Sequence, residues 1–259
     1  MPRLAANLTY LFSELPFLER FAAAAAAGFR AVEFQNPYAF APTEVAACVE
    51  RHGLAHVLLN MPAGDGEKGE RGLAALPGRE EDFLRELGRA VEYARASGCK
   101  LIHVLAGIAS GPAARAVYVA NLSRAADLLA PHGITATIEP LNSRDNPGYF
   151  LSRTVDALDI VAAVGRGNVS LQFDLYHCQI MEGDLARHTR ELAGRFAHVQ
   201  IAGVPERHEP NVGEVNYAYL LDLLDETGYA GWVGCEYRPK AGTLAGLGWA
   251  RRWGVAPQQ

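Results

Sequence analysis

Four short apolar segments in the C-terminal half of the chain each end on one oxygen-bearing side chain. They are Ile134-Thr-Ala-Thr-Ile-Glu139, Val169-Ser-Leu-Gln-Phe-Asp174, Phe196-Ala-His-Val-Gln200 and Trp232-Val-Gly-Cys-Glu236. The successive steps between the four terminal residues are 35, 26 and 36 residues, about the length of one strand and its crossover helix. A carboxylate at the end of a buried strand costs desolvation unless something positive meets it. A chain that repeats this arrangement is constrained to parallel strands whose ends meet.

The rest of the chain keeps the alternation. Apolar runs predict strands over 4–8, 31–35, 54–60, 101–105, 134–139, 169–174, 196–201 and 232–236. Between them, Phe17, Phe21 and Ala24 form one helical stripe, and a helix over 42–52 ends at Gly53. A strong helix follows Arg79-Glu-Glu-Asp82, with Phe83, Leu87, Ala90, Val91 and Ala94 on one side and the acids at its positive end. Further helices are expected up to about Pro131, over 154–164, near 182–194 and over 217–228. Trp249 and Trp253 fall on a closing helix. Eight strands alternating with helices imply right-handed parallel crossovers. An open doubly wound sheet would need a Gly-rich turn early in the chain, and Asn7-Leu-Thr-Tyr-Leu-Phe12 offers none. The expected architecture is therefore α/β, a single (β/α)8 TIM barrel over residues 1–259 with a C-terminal helical extension.

Composition removes several function classes. A net charge of -5 with no Lys/Arg block argues against a nucleic-acid partner, and no apolar run approaches membrane-spanning length. Cys48, Cys99, Cys178 and Cys235 lie far apart and read as reduced thiols of a cytoplasmic protein. Residues 61–78, with five glycines among charges, form the longest irregular stretch and follow a strand. They are expected to hang over the barrel's C-terminal face as a lid. Trp249 and Trp253 fit either the barrel's own surface or an interface in a homo-oligomer.

In such a barrel the ends of strands five to eight share one mouth. Glu139, Asp174, Gln200 and Glu236 then converge, and three carboxylates cannot crowd together as bare anions. A divalent cation resolves the repulsion, and an all-oxygen set suits Mg²⁺ or Mn²⁺ better than Zn²⁺. For any one of these residues alone, a polar strand cap is the simpler account. Four at consecutive strand ends point to a metal site. Arg207, on the loop after Gln200, is the candidate to hold a substrate carboxylate through its guanidinium fork, with Lys68 and Arg71 on the lid as weaker candidates. Cys178 beside His177 does not by itself establish a thiol nucleophile. Glu33, His56 and His103 are left between pocket lining and backbone pairing.

Thr137-Ile-Glu-Pro-Leu-Asn142, Gln172-Phe-Asp-Leu-Tyr-His177, His198-Val-Gln-Ile-Ala202, Gly213-Glu-Val-Asn-Tyr217, Cys235-Glu-Tyr-Arg-Pro239 and Asn60-Met-Pro-Ala-Gly-Asp65 together resemble the hydroxypyruvate isomerase family of the xylose-isomerase-like barrels, over almost the whole chain. The resemblance implies a metal-assisted aldose–ketose isomerase that interconverts hydroxypyruvate and tartronate semialdehyde through an enediolate. It implies that Glu139 and Glu236 bind metal and move protons, that Asp174 and Gln200 complete the coordination, and that His177 touches a substrate oxygen from a loop above strand six. A structural, hydrogen-bonded histidine is the alternative for His177. Related sugar epimerases carry His where Gln200 stands, which points away from that branch. The competing expectations are an isomerase or epimerase of a longer sugar or 2-oxo sugar acid such as 2-oxo-tetronate, a metal-dependent endonuclease of similar fold, and a non-catalytic metal- or sugar-binding barrel.

Overall fold

Short β-branched and apolar runs, most of them stopped by a polar residue, become eight strands. They are β1 (Arg3–Asn7), β2 (Ala31–Phe34), β3 (Ala55–Asn60), β4 (Leu101–His103), β5 (Thr135–Ile138), β6 (Val169–Asp174), β7 (Phe196–Ile201) and β8 (Trp232–Cys235). In the computed structural model, which describes residues 1–256, each pairs in parallel with the next, and β8 closes on β1. The crossovers are carried by α1 (Arg20–Ala26), α2 (Pro42–Arg51), α3 (Glu80–Ser97), α4 (Gly111–Leu129), α5 (Thr154–Val164), α6 (Leu175–Met181), α7 (Leu185–Glu191) and α8 (Tyr217–Glu226). A short α9 (Thr243–Gly246) and a 3-10 segment (Leu247–Trp253) end the described chain. No helix among the described residues is long and apolar enough to cross a membrane.

Helix α3 shows how sequence becomes packing. Glu80, Glu81 and Asp82 occupy its first turn, and Phe83, Leu87, Ala90 and Ala94 bury the predicted stripe. Burying the Phe and Leu side chains contributes about 1.5–3 kcal/mol each. On the strands, alternate residues such as Val32 and Phe34, or Leu171 and Phe173, join the core shared with the helices. The intervening positions turn inward. Near the bottom, Ala5, Ala31 and Val57 form a small apolar cluster with Trp232 against it. Above it the interior is polar, with Glu33, Thr137, Gln172 and His198 all buried.

Three local expectations are corrected. The region after β6 is not a loop followed by a helix over 182–194, but two short helices. Asp174 Oδ1 accepts the Tyr176 N–H at 2.7 Å and so caps α6 at once. His177 therefore stands on the first turn of a helix, not on a loop. Strand β4 stops at His103, two residues early, because the chain from the 61–78 loop takes over its hydrogen bonds. Gly72 bridges Ala106, and Ala74 and Ala75 donate to Leu105 and Ala106. Asn121 on α4 ties down the Ala74 carbonyl, so the second half of this loop is fastened to the barrel.

At Gly234 the barrel admits no side chain, since a Cβ there would fall against both carboxylate oxygens of Glu33. Gly234→Ala is therefore expected to lose about 1–3 kcal/mol of stability, read by denaturant unfolding. Gly248→Ala, where a Cβ meets nothing within 4 Å, should stay within about 0.5 kcal/mol of the parent.

Candidate active site

At the C-terminal mouth a cavity of about 440 Å³ opens between the strand ends and the 61–78 loop. Glu139, His177, Arg207 and Glu236 line it, together with His103, Tyr10, Gln35, Asn60 and Arg71. Asp174 and Gln200 are buried but do not line it. Glu139 and Glu236 sit one residue beyond β5 and β8, and Asp174 and Gln200 are register partners across β6 and β7.

The carboxyls differ in their company. Arg207 Nη2 donates to Glu236 Oε2 at 2.7 Å, and Gln35 Nε2 donates to Glu236 Oε1 at 2.5 Å. Burial still dominates, so the Glu236 carboxyl is pushed up from 4.5 to about 8 against the pull of Arg207. Glu139 has no cation so close. His103 Nδ1 lies 3.4 Å from its Oε2, but burial, and then His198, push that ring down to about 3, leaving it neutral. Burial, then Glu236 and Asp174, hold the Glu139 carboxyl well above its ordinary range. Asp174 is also raised, by burial, although Arg207 and two backbone N–H groups pull the other way.

Arg207 is built in firmly. Its backbone takes φ of 61°, a left-handed conformation that costs a non-glycine residue roughly 1–2 kcal/mol. Its guanidinium lies 5.2 Å from the Tyr10 ring and 4.9 Å from the Tyr176 ring, stacked as cations on aromatic faces are. Burial opposes its charge, but Glu236, Tyr10, Asp174 and Glu139 together raise its pKa. It is thus already committed to Glu236.

His177 is oriented through the motif that begins at Glu139. The Asn142 backbone N–H donates to His177 Nδ1 at 3.0 Å. Burial, then Arg207, keep the ring neutral, so its proton rests on Nε2, which points at Asp174 Oδ2 from 3.7 Å. Ligand atoms of Glu139, Asp174 and His177 lie within 4.8 Å of one another. The tautomer makes His177 a hydrogen-bond donor there, since a metal needs a bare nitrogen.

Beneath the mouth runs a hydrogen-bonded chain. Thr137 donates to Gln172 Oε1 at 2.9 Å, Gln172 Nε2 to Gln200 Oε1 at 2.6 Å, and Gln200 Nε2 to Glu33 Oε1 at 2.8 Å. His198 Nε2 faces Glu33 Oε2 at 2.5 Å. Asn7 Nδ2 bridges Glu33 at 2.8 Å and Glu236 at 3.3 Å. Gln200 is thereby fixed at both ends of its amide. Its oxygen retains a second lone pair.

Of the expected site residues, Glu139, Asp174 and Glu236 come together with Arg207 and His177. Gln200 is buried next to Asp174, its register partner, and like it does not line the cavity. Lys68 does not line the cavity and pairs instead with Asp65 at 3.0 Å. Cys178 is buried with its thiol pushed up to about 12 by burial, too high for a nucleophile. Asn7, Gln35 and Asn60 carry the same signal as the four terminal residues, a polar side chain at a strand end. Sequence reasoning confined that signal to strands five to eight. Glu33 has no such mark.

Comparison with known proteins follows the same lines. A family model described as the xylose isomerase-like TIM barrel matches residues 21–253. The 2-oxo-tetronate isomerase of Cupriavidus necator is 56% identical over 256 residues, covering 97% of this chain and 98% of that protein. The hydroxypyruvate isomerase of Escherichia coli is 45% identical over 253 residues, covering 96% and 98%. A solved structure described as AP endonuclease, family 2, from Brucella melitensis has a TM-score of 0.96 at 50% identity, covering 98% of this chain and 99% of that one.

A carboxyl whose pKa is raised on folding binds its proton more tightly in the folded state. Its contribution is intact below the ordinary value and is lost as pH climbs through the folded value. Relative to Glu236→Gln, the metal-free wild type should therefore lose stability steadily between pH 4.5 and about 8. Chemical denaturation at several pH values checks this, and a difference constant across that range contradicts the raised carboxyl.

Proposed function

This chain belongs to the xylose isomerase-like TIM barrel family and is an isomerase, and we propose that it moves a carbonyl between C2 and C3 of a small 2-oxo acid with the help of a divalent metal. The observation that carries the reading is the pair of buried carboxyls, Glu139 and Glu236, facing one cavity from just beyond the ends of β5 and β8.

Glu139 Oε1 and Asp174 Oδ2 are buried without a hydrogen-bond partner, and three carboxyls stand near a single guanidinium. Such a donor set fits a cation. Glu139, Asp174, Glu236 and the free lone pair of Gln200 would hold it, and oxygen donors alone favour Mg²⁺ or Mn²⁺. Bound there, the metal supplies charge stabilisation to the two substrate oxygens. Gln172 and Glu33 orient the Gln200 amide from behind, as outer partners of ligands do.

The proton work falls to the two glutamates. Glu236, beside Arg207, is the better placed to be ionised and takes the proton from C3, leaving an enediolate. Glu139 supplies the proton that C2 gains. The hydroxyl proton passes from O3 to O2, so each atom gained is matched by one lost. His177 Nε2–H donates to a substrate oxygen, and Arg207 steadies Glu236.

Hydroxypyruvate, which gives tartronate semialdehyde, and 2-oxo-tetronate, one carbon longer, undergo the same shift. The higher identity to the 2-oxo-tetronate isomerase supports the four-carbon acid as the better substrate. Comparing kcat/KM for the two acids decides the order.

Glu139→Gln and Glu236→Gln should each lower kcat by about 10²–10⁴-fold. Turnover in D₂O should place solvent deuterium on the carbon that gains hydrogen. Full activity in either variant, or product without deuterium, refutes the proton-transfer reading. Dialysis against a chelator should abolish turnover, and Mg²⁺ or Mn²⁺ should restore it.

A further inference from the structure

The rim of the cavity carries a guanidinium that the site does not neutralise. Arg71 lines the cavity and makes no ion pair among the described residues. Three neighbouring acids are held by other cations. Asp65 pairs with Lys68 at 3.0 Å, Glu70 pairs with Arg79, and Asp82 takes Arg79 and Arg85 at 2.5 and 2.7 Å. Glu67, also on this loop, makes no ion pair with Arg71 among the described residues, so no acid holds the Arg71 guanidinium. Its Nη1 donates to Asn146 Oδ1 at 2.8 Å, and the other N–H groups of the fork remain for a ligand.

The position is prepared rather than incidental. Gly72, the next residue, has φ of 127°, and a Cβ there would lie 2.5 Å from the Leu105 carbonyl oxygen. Only glycine lets the loop press onto the strand end at this point, and the Gly72 N–H then donates to the Ala63 carbonyl at 2.8 Å. On the other side, Asn146 belongs to the turn that starts at Asn142, whose backbone holds His177. Arg71 and His177 are therefore registered to one another through a single turn.

Charge sorts the two ends of a substrate. The floor holds Glu139, Asp174 and Glu236 against Arg207, which is spent on Glu236. The open N–H groups of the Arg71 fork match a carboxylate at the rim, whereas the hydroxy-ketone end is the part that the two glutamates must reach. We propose that Arg71 is the seat of the substrate carboxylate and sets the preference for 2-oxo acids over neutral ketoses. This rests on the reading of the site as a 2-oxo acid isomerase. With the carboxylate held at Arg71, C2 and C3 point down to the two glutamates.

The test compares wild type, Arg71→Ala and Arg71→Lys on hydroxypyruvate and 2-oxo-tetronate, with dihydroxyacetone as the uncharged counterpart, used as substrate or competitor. Arg71→Ala should raise KM for the acids by about ten- to a hundredfold, with kcat changed less, and leave dihydroxyacetone unaffected. Arg71→Lys should recover part of the loss, because it restores charge without the planar fork. Equal changes for acid and neutral compounds, or none for the acids, overturn the proposal. A wild type that isomerises no 2-oxo acid refutes the isomerase reading instead. Calorimetry with oxamate then decides Arg71 by itself. Binding at least tenfold weaker in Arg71→Ala supports it, and equal or absent binding in both proteins overturns it.

Discussion

Negative charge confined in a dry place organises this molecule. Glu139, Asp174 and Glu236 are buried within reach of one another, and among the described residues Arg207 is the one cation in direct contact with any of them. Burial by itself penalises each ionised carboxylate, and proximity adds repulsion. The surrounding structure answers in three ways. It supplies a stacked, strained arginine to Glu236, it keeps His103 and His177 neutral, and it leaves Glu139 Oε1 and Asp174 Oδ2 without a hydrogen-bond partner. Each answer costs stability that the folded barrel must supply elsewhere, and proteins keep such arrangements where the chemistry uses them.

The barrel supplies that stability through a division of labour between its faces. Outward residues of the strands pack against helices and make the apolar core, while the inward residues above the Ala5–Ala31–Val57 plug are polar. Thr137, Gln172, Gln200, Glu33 and Asn7 pass a hydrogen-bonded chain around the interior, from β5 to β1 and on to Glu236. A satisfied network of this kind holds its members in one orientation. It also explains Gly234, because the strand must yield the space that the Glu33 carboxylate occupies. Rim and floor then differ, with the guanidinium of Arg71 above and the acids with Arg207 below. The cavity has a direction before any ligand enters.

Much of this was legible from the chain alone, and for a definite reason. The period of strand and helix, the acids opening α3, the stripe of Phe83, Leu87, Ala90 and Ala94, and the spacing of Glu139, Asp174, Gln200 and Glu236 are local patterns. Local backbone geometry converts each of them directly into an element and a direction. His177 was misplaced onto a loop because a capping side chain and a metal ligand look the same in sequence. Asp174 serves as the cap, and the helix starts there.

What the tertiary structure decided lies across the closure of the barrel. Gln35 reaches Glu236 over 201 residues and Asn7 reaches it over 229, contacts that exist only because β8 pairs with β1. Glu33 is an unremarkable strand residue until closure sets it beside His198 and Gln200, and Arg207 is an ordinary loop arginine until Tyr10 and Tyr176 flank it. Sequence by itself determined the period, the strand-end acids and the family. Only folding decided which side chain neutralises which, because charge balance depends on distances through space, and the pattern along the chain encodes none between residues so far apart.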